Sequence, residues 1–180
     1  MTTTSGPGAP FALARFRTEA GVVPALVVGD RIRALDAAAL GAPDLNAFLA
    51  AADWDRLARL AAEDERWMPL ADVELAAPVE PRQVLQAGAN YRAHVVQLIA
   101  AGLVRGDAAL EPDAARARAE NIMDVRAASG RPFVFIGLPQ CVVGPDEPLV
   151  LPSYSDTHDW ELELAAVIGR EAFRVDRAHA

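Results

Sequence analysis

The stretch "DWELELAAVIGR", Asp159 to Arg170, sets three acids at alternate positions and then runs into apolar residues. Read as a strand, it puts Asp159, Glu161 and Glu163 on one face and Trp160, Leu162 and Leu164 on the other, because side chains alternate along an extended backbone. Neighbouring carboxylates repel, so a fold that aligns them needs a cation or open water beside them. Two acids spaced E-x-E can hold a hard divalent ion such as Mg2+, with waters completing its shell. The same spacing also describes the wet face of an edge strand. Spacing alone leaves both readings open.

The rest of the chain narrows the setting. With 180 residues and 52% apolar content it can bury a sizeable core, as one large domain or two small ones. Its formal net charge is −8, and no basic run interleaved with aromatics occurs, which argues against nucleic acid as a partner. Every basic residue apart from histidine is Arg; without Lys, neither a P-loop lysine nor a Schiff base is possible within these residues. The single cysteine, Cys141, excludes an intrachain disulfide, fits a reducing compartment, and is expected to be a small buried side chain. The opening "MTTTSGPGAP" lacks a secretory signal pattern, and no apolar run approaches the ~20 residues of a membrane span. A soluble cytoplasmic protein, with no membrane partner, is the expectation.

Working outward, residues 1–10 are expected to be disordered. "FALARFR" (Phe11 to Arg17), "VVPALVV" (Val22 to Val28) and "RIRAL" (Arg31 to Leu35) alternate and are separated by turn residues, which predicts a three-stranded antiparallel meander. Pro24 suits an edge or a bulge. From Asp44 to about Glu65, apolar residues at helical spacing after Pro43 and Asp44 predict one or two helices packed on that meander. Two prolines in "ELAAPVEPRQ" mark a linker from Pro78 to Gln83, hence domains at 1–80 and 81–180.

Beyond the linker, "VLQAGANY" (Val84 to Tyr91) reads as a strand and a turn, and "RAHVVQLIAAG" (Arg92 to Gly102) as a short helix closed by Gly102. A charged helix opened by Pro112 and ended near Gly130 has a thin apolar stripe, fit to cover something rather than to build a core. "PFVFIGL", "CVVG", "EPLVL" and "LELAAVIG" then read as short strands of a strongly bent β-fold. The chain stops at "REAFRVDRAHA" without a cap, and so reads as interrupted.

Few side chains suggest chemistry by themselves. His94 follows a strand and a turn, where an imidazole can move protons near neutral pH, but a histidine on a helix surface often does nothing. Gln97 lies three residues on, on the same helix face, and can only position a water or a substrate oxygen. His158 can support the acids that follow it or simply occupy a turn. "GANY" lacks the further glycines of a dinucleotide fingerprint, and there is no G-x-S-x-G, H-E-x-x-H or C-x-x-C.

Taken together and in order, "QAGANYRAH" (Gln86 to His94), "RPFVFIGLPQCVVGPDEPLVLPS" (Arg131 to Ser153) and "DWELELAAVIGR" resemble the fumarylacetoacetate hydrolase superfamily. The resemblance runs from about Val84 to Ala180, with a weaker likeness of the part before Pro78 to that superfamily's variable N-terminal domain. It implies an α+β protein: a mixed β-roll catalytic domain, incomplete here, preceded by a small α/β domain with an antiparallel meander. It also implies Mg2+ or Mn2+ held by Glu161 and Glu163 with an aspartate further along, a catalytic lysine past residue 180, a lid at about 95–131, and a homodimer.

In hydrolase and decarboxylase members the residue matching His94 pairs with a glutamate three residues later to activate water; here that position is Gln97, a departure from the dyad. The implied activity is metal-dependent cleavage of a C–C bond in a small anionic 2-oxo acid or acylpyruvate-type substrate, through a stabilised enolate and His-assisted proton transfer. Decarboxylase, hydratase and isomerase members share those ligands. The reading from another class is a catalytically silent fragment or an assembly module, because a roll lacking strands leaves open edges.

Overall fold

The computed structural model describes residues 10–64 and 66–179; the tail expected to be disordered lies, but for Pro10, outside them. The protein is a mixed α+β structure with antiparallel sheets, and it divides into two compact units. One comprises the chain up to Glu80 together with the chain from Val142 onward, and the other is Pro81–Cys141.

In the first unit, β1 (Ala12–Thr18), β2 (Gly21–Val28) and β3 (Arg31–Ala34) form the meander in simple order, and a two-residue β4 (Met68–Pro69) extends it beside β3. Two-residue loops join the hairpins; Gly29 holds φ +60°, a left-handed conformation that glycine adopts without a Cβ penalty. Pro24 sits in the inner strand β2, not at an edge as expected. Its carbonyl accepts from Leu35 N at 2.8 Å, so its missing N–H faces the end of β3, where only the last reciprocal bond of the ladder is forgone.

Alternation along the strands gives the sheet two apolar faces. Leu26 and Leu35 meet Leu40, Leu45, Phe48 and Leu57 from the helices α1 (Ala37–Leu40), α2 (Leu45–Ala50) and α3 (Trp54–Ala62). Phe16, Ala25 and Ile32 pack on the other face with Leu70, Val73 and Leu75. Each helix starts at an aspartate whose carboxylate takes an otherwise orphan N–H: Asp36 from Ala39 at 2.7 Å, Asp44 from Ala47 at 2.8 Å, Asp53 from Arg56 at 2.9 Å. Arg33, buried on the helix face, donates to Leu60 O at 3.4 Å and to Glu63 at 2.8 Å; it thereby neutralises the carbonyl end of α3.

The second unit pairs β5 (Val84–Gly88) with β6 (Phe133–Gly137), antiparallel, around the helical hairpin of α4 (Arg92–Gly106) and α5 (Pro112–Ser129). Helix α4 continues a turn past Gly102, where the sequence predicts its end. The backbone ladder carries on to Asp107 N, which donates to Leu103 O at 3.0 Å, and the packing of α4 on α5 outweighs one glycine's modest cost. Helix α5 does build a core of its own kind: Ala115, Ala119 and Met123 are buried, the last two against Val95 and Val96. Small alanines account for the thin stripe, since they let two helices approach closely.

From Val142 to the end of the described residues there is no strand. The runs "CVVG", "EPLVL" and "LELAAVIG", predicted as strands, are irregular, and Leu149, Val150, Trp160, Leu162 and Leu164 are exposed. A strand needs a paired neighbour along its length, and among the described residues none of these runs belongs to a sheet. Cys141 is exposed rather than buried, because it closes a short 3-10 turn at the edge of its unit.

Candidate active site

The turn between β5 and α4 is the most constrained backbone near a candidate residue. Gly88 ends β5 under an aromatic ring; a Cβ there would stand 2.6 Å from Phe133 Cδ1. Ala89 then takes φ +56°, a left-handed conformation that costs an L-residue roughly 1–2 kcal/mol. Strain of this kind concentrates where a fold must present a particular side chain. Composition gives no warning of it, because alanine is a neutral residue in turns.

This turn delivers Tyr91, at the start of α4, and then His94 and Gln97, both exposed and one helical turn apart. Across the hairpin, Arg92 Nη2 binds Asp124 of α5 at 2.7 Å. That hydrogen bond and the charge of Asp124 raise the Arg92 pKa, both favouring the charged guanidinium. The Arg92–Asp124 pair was not foreseen from the sequence, since its members are 32 positions apart.

Glu161 and Glu163 belong to the irregular segment of the other unit, both exposed; Asp159 Oδ1 accepts from Trp160 N at 2.8 Å. His158 Nε2 lies 3.2 Å from Pro152 O, six residues back along the same irregular run. The carboxylates of Glu161 and Glu163 are hard oxygen donors of the type Mg2+ and Mn2+ prefer. Among the described residues, however, no three His, Cys, Asp or Glu side chains gather to hold an ion, so two donors are present and a closed set is not. Nor is any helix among these residues long and apolar enough to cross a membrane.

Comparison with known proteins bears on the same region. Residues 83–180 match the family described as fumarylacetoacetate (FAA) hydrolase C-terminal. The chain is 25% identical over 117 residues to a fumarylacetoacetate hydrolase domain-containing protein 2 homolog of Dictyostelium discoideum, covering 65% of this chain and 30% of that protein. It is 29% identical over 104 residues to a mitochondrial oxaloacetate tautomerase of Bos taurus, covering 57% and 25%. A domain-containing protein 2 of Pongo abelii is 41% identical over 49 residues, covering 27% and 16%. The chain thus spans less than a third of the length of these relatives. No solved structure matches it. With the matched region covering more than half of the chain, the protein belongs to the fumarylacetoacetate hydrolase family.

Proposed function

We propose that the protein carrying this chain interconverts the keto and enol forms of a small anionic 2-oxo acid of the oxaloacetate type. The observation behind this reading is the pair His94 and Gln97 on one exposed face of α4. Hydrolysis of a C–C bond asks for a base that activates water, and the usual helper of the histidine is a carboxylate. An amide cannot take a proton; Gln97 can orient a substrate oxygen or a water and nothing more. Tautomerisation asks only that one proton move between a carbon and an oxygen, and a single imidazole suffices for that. The bovine relative's name, an oxaloacetate tautomerase, points the same way.

In this reading Glu161 and Glu163 contribute two carboxylates toward Mg2+ or Mn2+. When bound, such an ion supplies Lewis acidity that favours the enolate, and it offsets the protein's negative charge for an anionic substrate. His94 gives or takes the proton at the carbon beside the oxo group, and Gln97 holds the neighbouring oxygen. Cleavage of an acylpyruvate-type 1,3-dicarbonyl is the second reading, favoured by the hydrolase family to which the matched region belongs.

A screen of oxaloacetate and acylpyruvates with the full-length protein, with and without Mn2+, separates the two. Faster loss of the enol absorbance without cleavage products is expected, as is loss of Mn2+ affinity by calorimetry when Glu161→Ala and Glu163→Ala are combined. Cleavage products as the main outcome would favour hydrolysis, and unchanged Mn2+ affinity would remove the metal assignment.

A further inference from the structure

Strand β1 is the outer strand of its sheet, yet its open side is occupied. Arg17 N donates to Glu74 O at 2.9 Å and Ala76 N to Arg15 O at 2.8 Å, while Phe16 and Leu75 form an antiparallel bridge. A piece of chain distant in sequence then closes onto this segment. Gly144 is buried, and a Cβ there would stand 2.5 Å from Leu75 O, so only glycine lets these backbones approach. A turn follows, in which Glu147 N donates to Gly144 O at 3.3 Å and Glu147 Oε1 accepts from Gly144 N at 3.2 Å.

Both margins of this arrangement are held by arginines of β1. Arg17 binds Glu147 through Nη2 at 2.7 Å and Glu74 through Nε at 2.9 Å. Two positions earlier, and so on the same face of the strand, Arg15 pairs with Glu80 and donates to Ala77 O at 3.3 Å. Glu80 O in turn accepts from Asn46 Nδ2 at 2.9 Å.

We propose that Arg15 and Arg17 form a two-point clamp, pinning the chain to β1 where it departs toward Pro81 and again where it returns after Cys141. An exposed ion pair contributes little alone. Here the pairs share one strand, and the second is tied to the buried glycine contact, so the arginines hold a geometry that the backbones already fit. Within its own unit the clamp gives the run toward Glu161 and Glu163 a fixed origin at Glu147.

Hydrogen exchange of the full-length protein tests this. Arg17→Ala should speed exchange across residues 142–150 about fivefold and leave the amides of Leu26 and Ile32 unchanged. The conservative Arg17→Lys, which keeps a cation between Glu74 and Glu147, should retain most of the protection. Should Arg17→Ala not fold, Glu147→Gln carries the same comparison. Equal exchange in wild type and variant, or acceleration that reaches the core amides equally, overturns the clamp.

Discussion

Leu26 and Leu164 both sit in runs that read as strands in the sequence, yet Leu26 is 0% exposed and Leu164 92%. The meander around Leu26 has a paired strand on each side, helices on one face and residues 70–76 on the other. The segment around Leu164 has no strand neighbour among the described residues and remains irregular. The contrast shows that alternation marks which face a strand would bury, whereas pairing and cover decide whether it becomes a strand at all. The first region is paired and covered on both faces; the second is irregular, with its large apolar side chains exposed.

Substitutions probe this contrast most strongly where it is sharpest. Leu26→Ala empties a fully enclosed site between sheet and helices and should cost about 3 kcal/mol, read from the urea midpoint of the first unit's unfolding. Asp53→Ala removes a cap from α3, which lies over that core, and should cost about 1 kcal/mol in the same measurement. Leu164→Ala should change stability by less than about 0.5 kcal/mol in the 180-residue chain. A large loss there would show that the segment is packed, and would break the comparison. The same exposure of Leu149, Val150, Trp160 and Leu162 predicts self-association of the isolated chain, and light scattering that finds only monomer would contradict it.

Legibility in the sequence follows the same division. The meander, the Asp44 cap and the two long helices could be read because each depends on neighbours a few residues away: a two-residue turn, a cap three positions from its N–H, a periodic stripe. Pro24 in an inner strand could not, since its tolerance depends on where β3 ends. The exposure of Cys141, the strained Ala89 and the Arg92–Asp124 and Arg17–Glu147 pairs depend on distant packing, which leaves no periodic trace. Family membership was legible because it rests on ordered blocks of residues rather than on structure. His94 and Gln97 emerge on one helix face as their spacing requires, while Glu161 and Glu163 lie in an irregular run instead of the strand that the alternation suggests.

The proposed function has His94, helped by an amide and not by a carboxylate, move a proton at carbon. It is tested most directly by following oxaloacetate with the full-length protein in deuterated water by NMR. Deuterium should enter the carbon beside the oxo group well above the buffer rate without cleavage, and His94→Ala should lower that rate about 100-fold. Cleavage products without exchange, or a His94→Ala protein that exchanges at the wild-type rate, would contradict it.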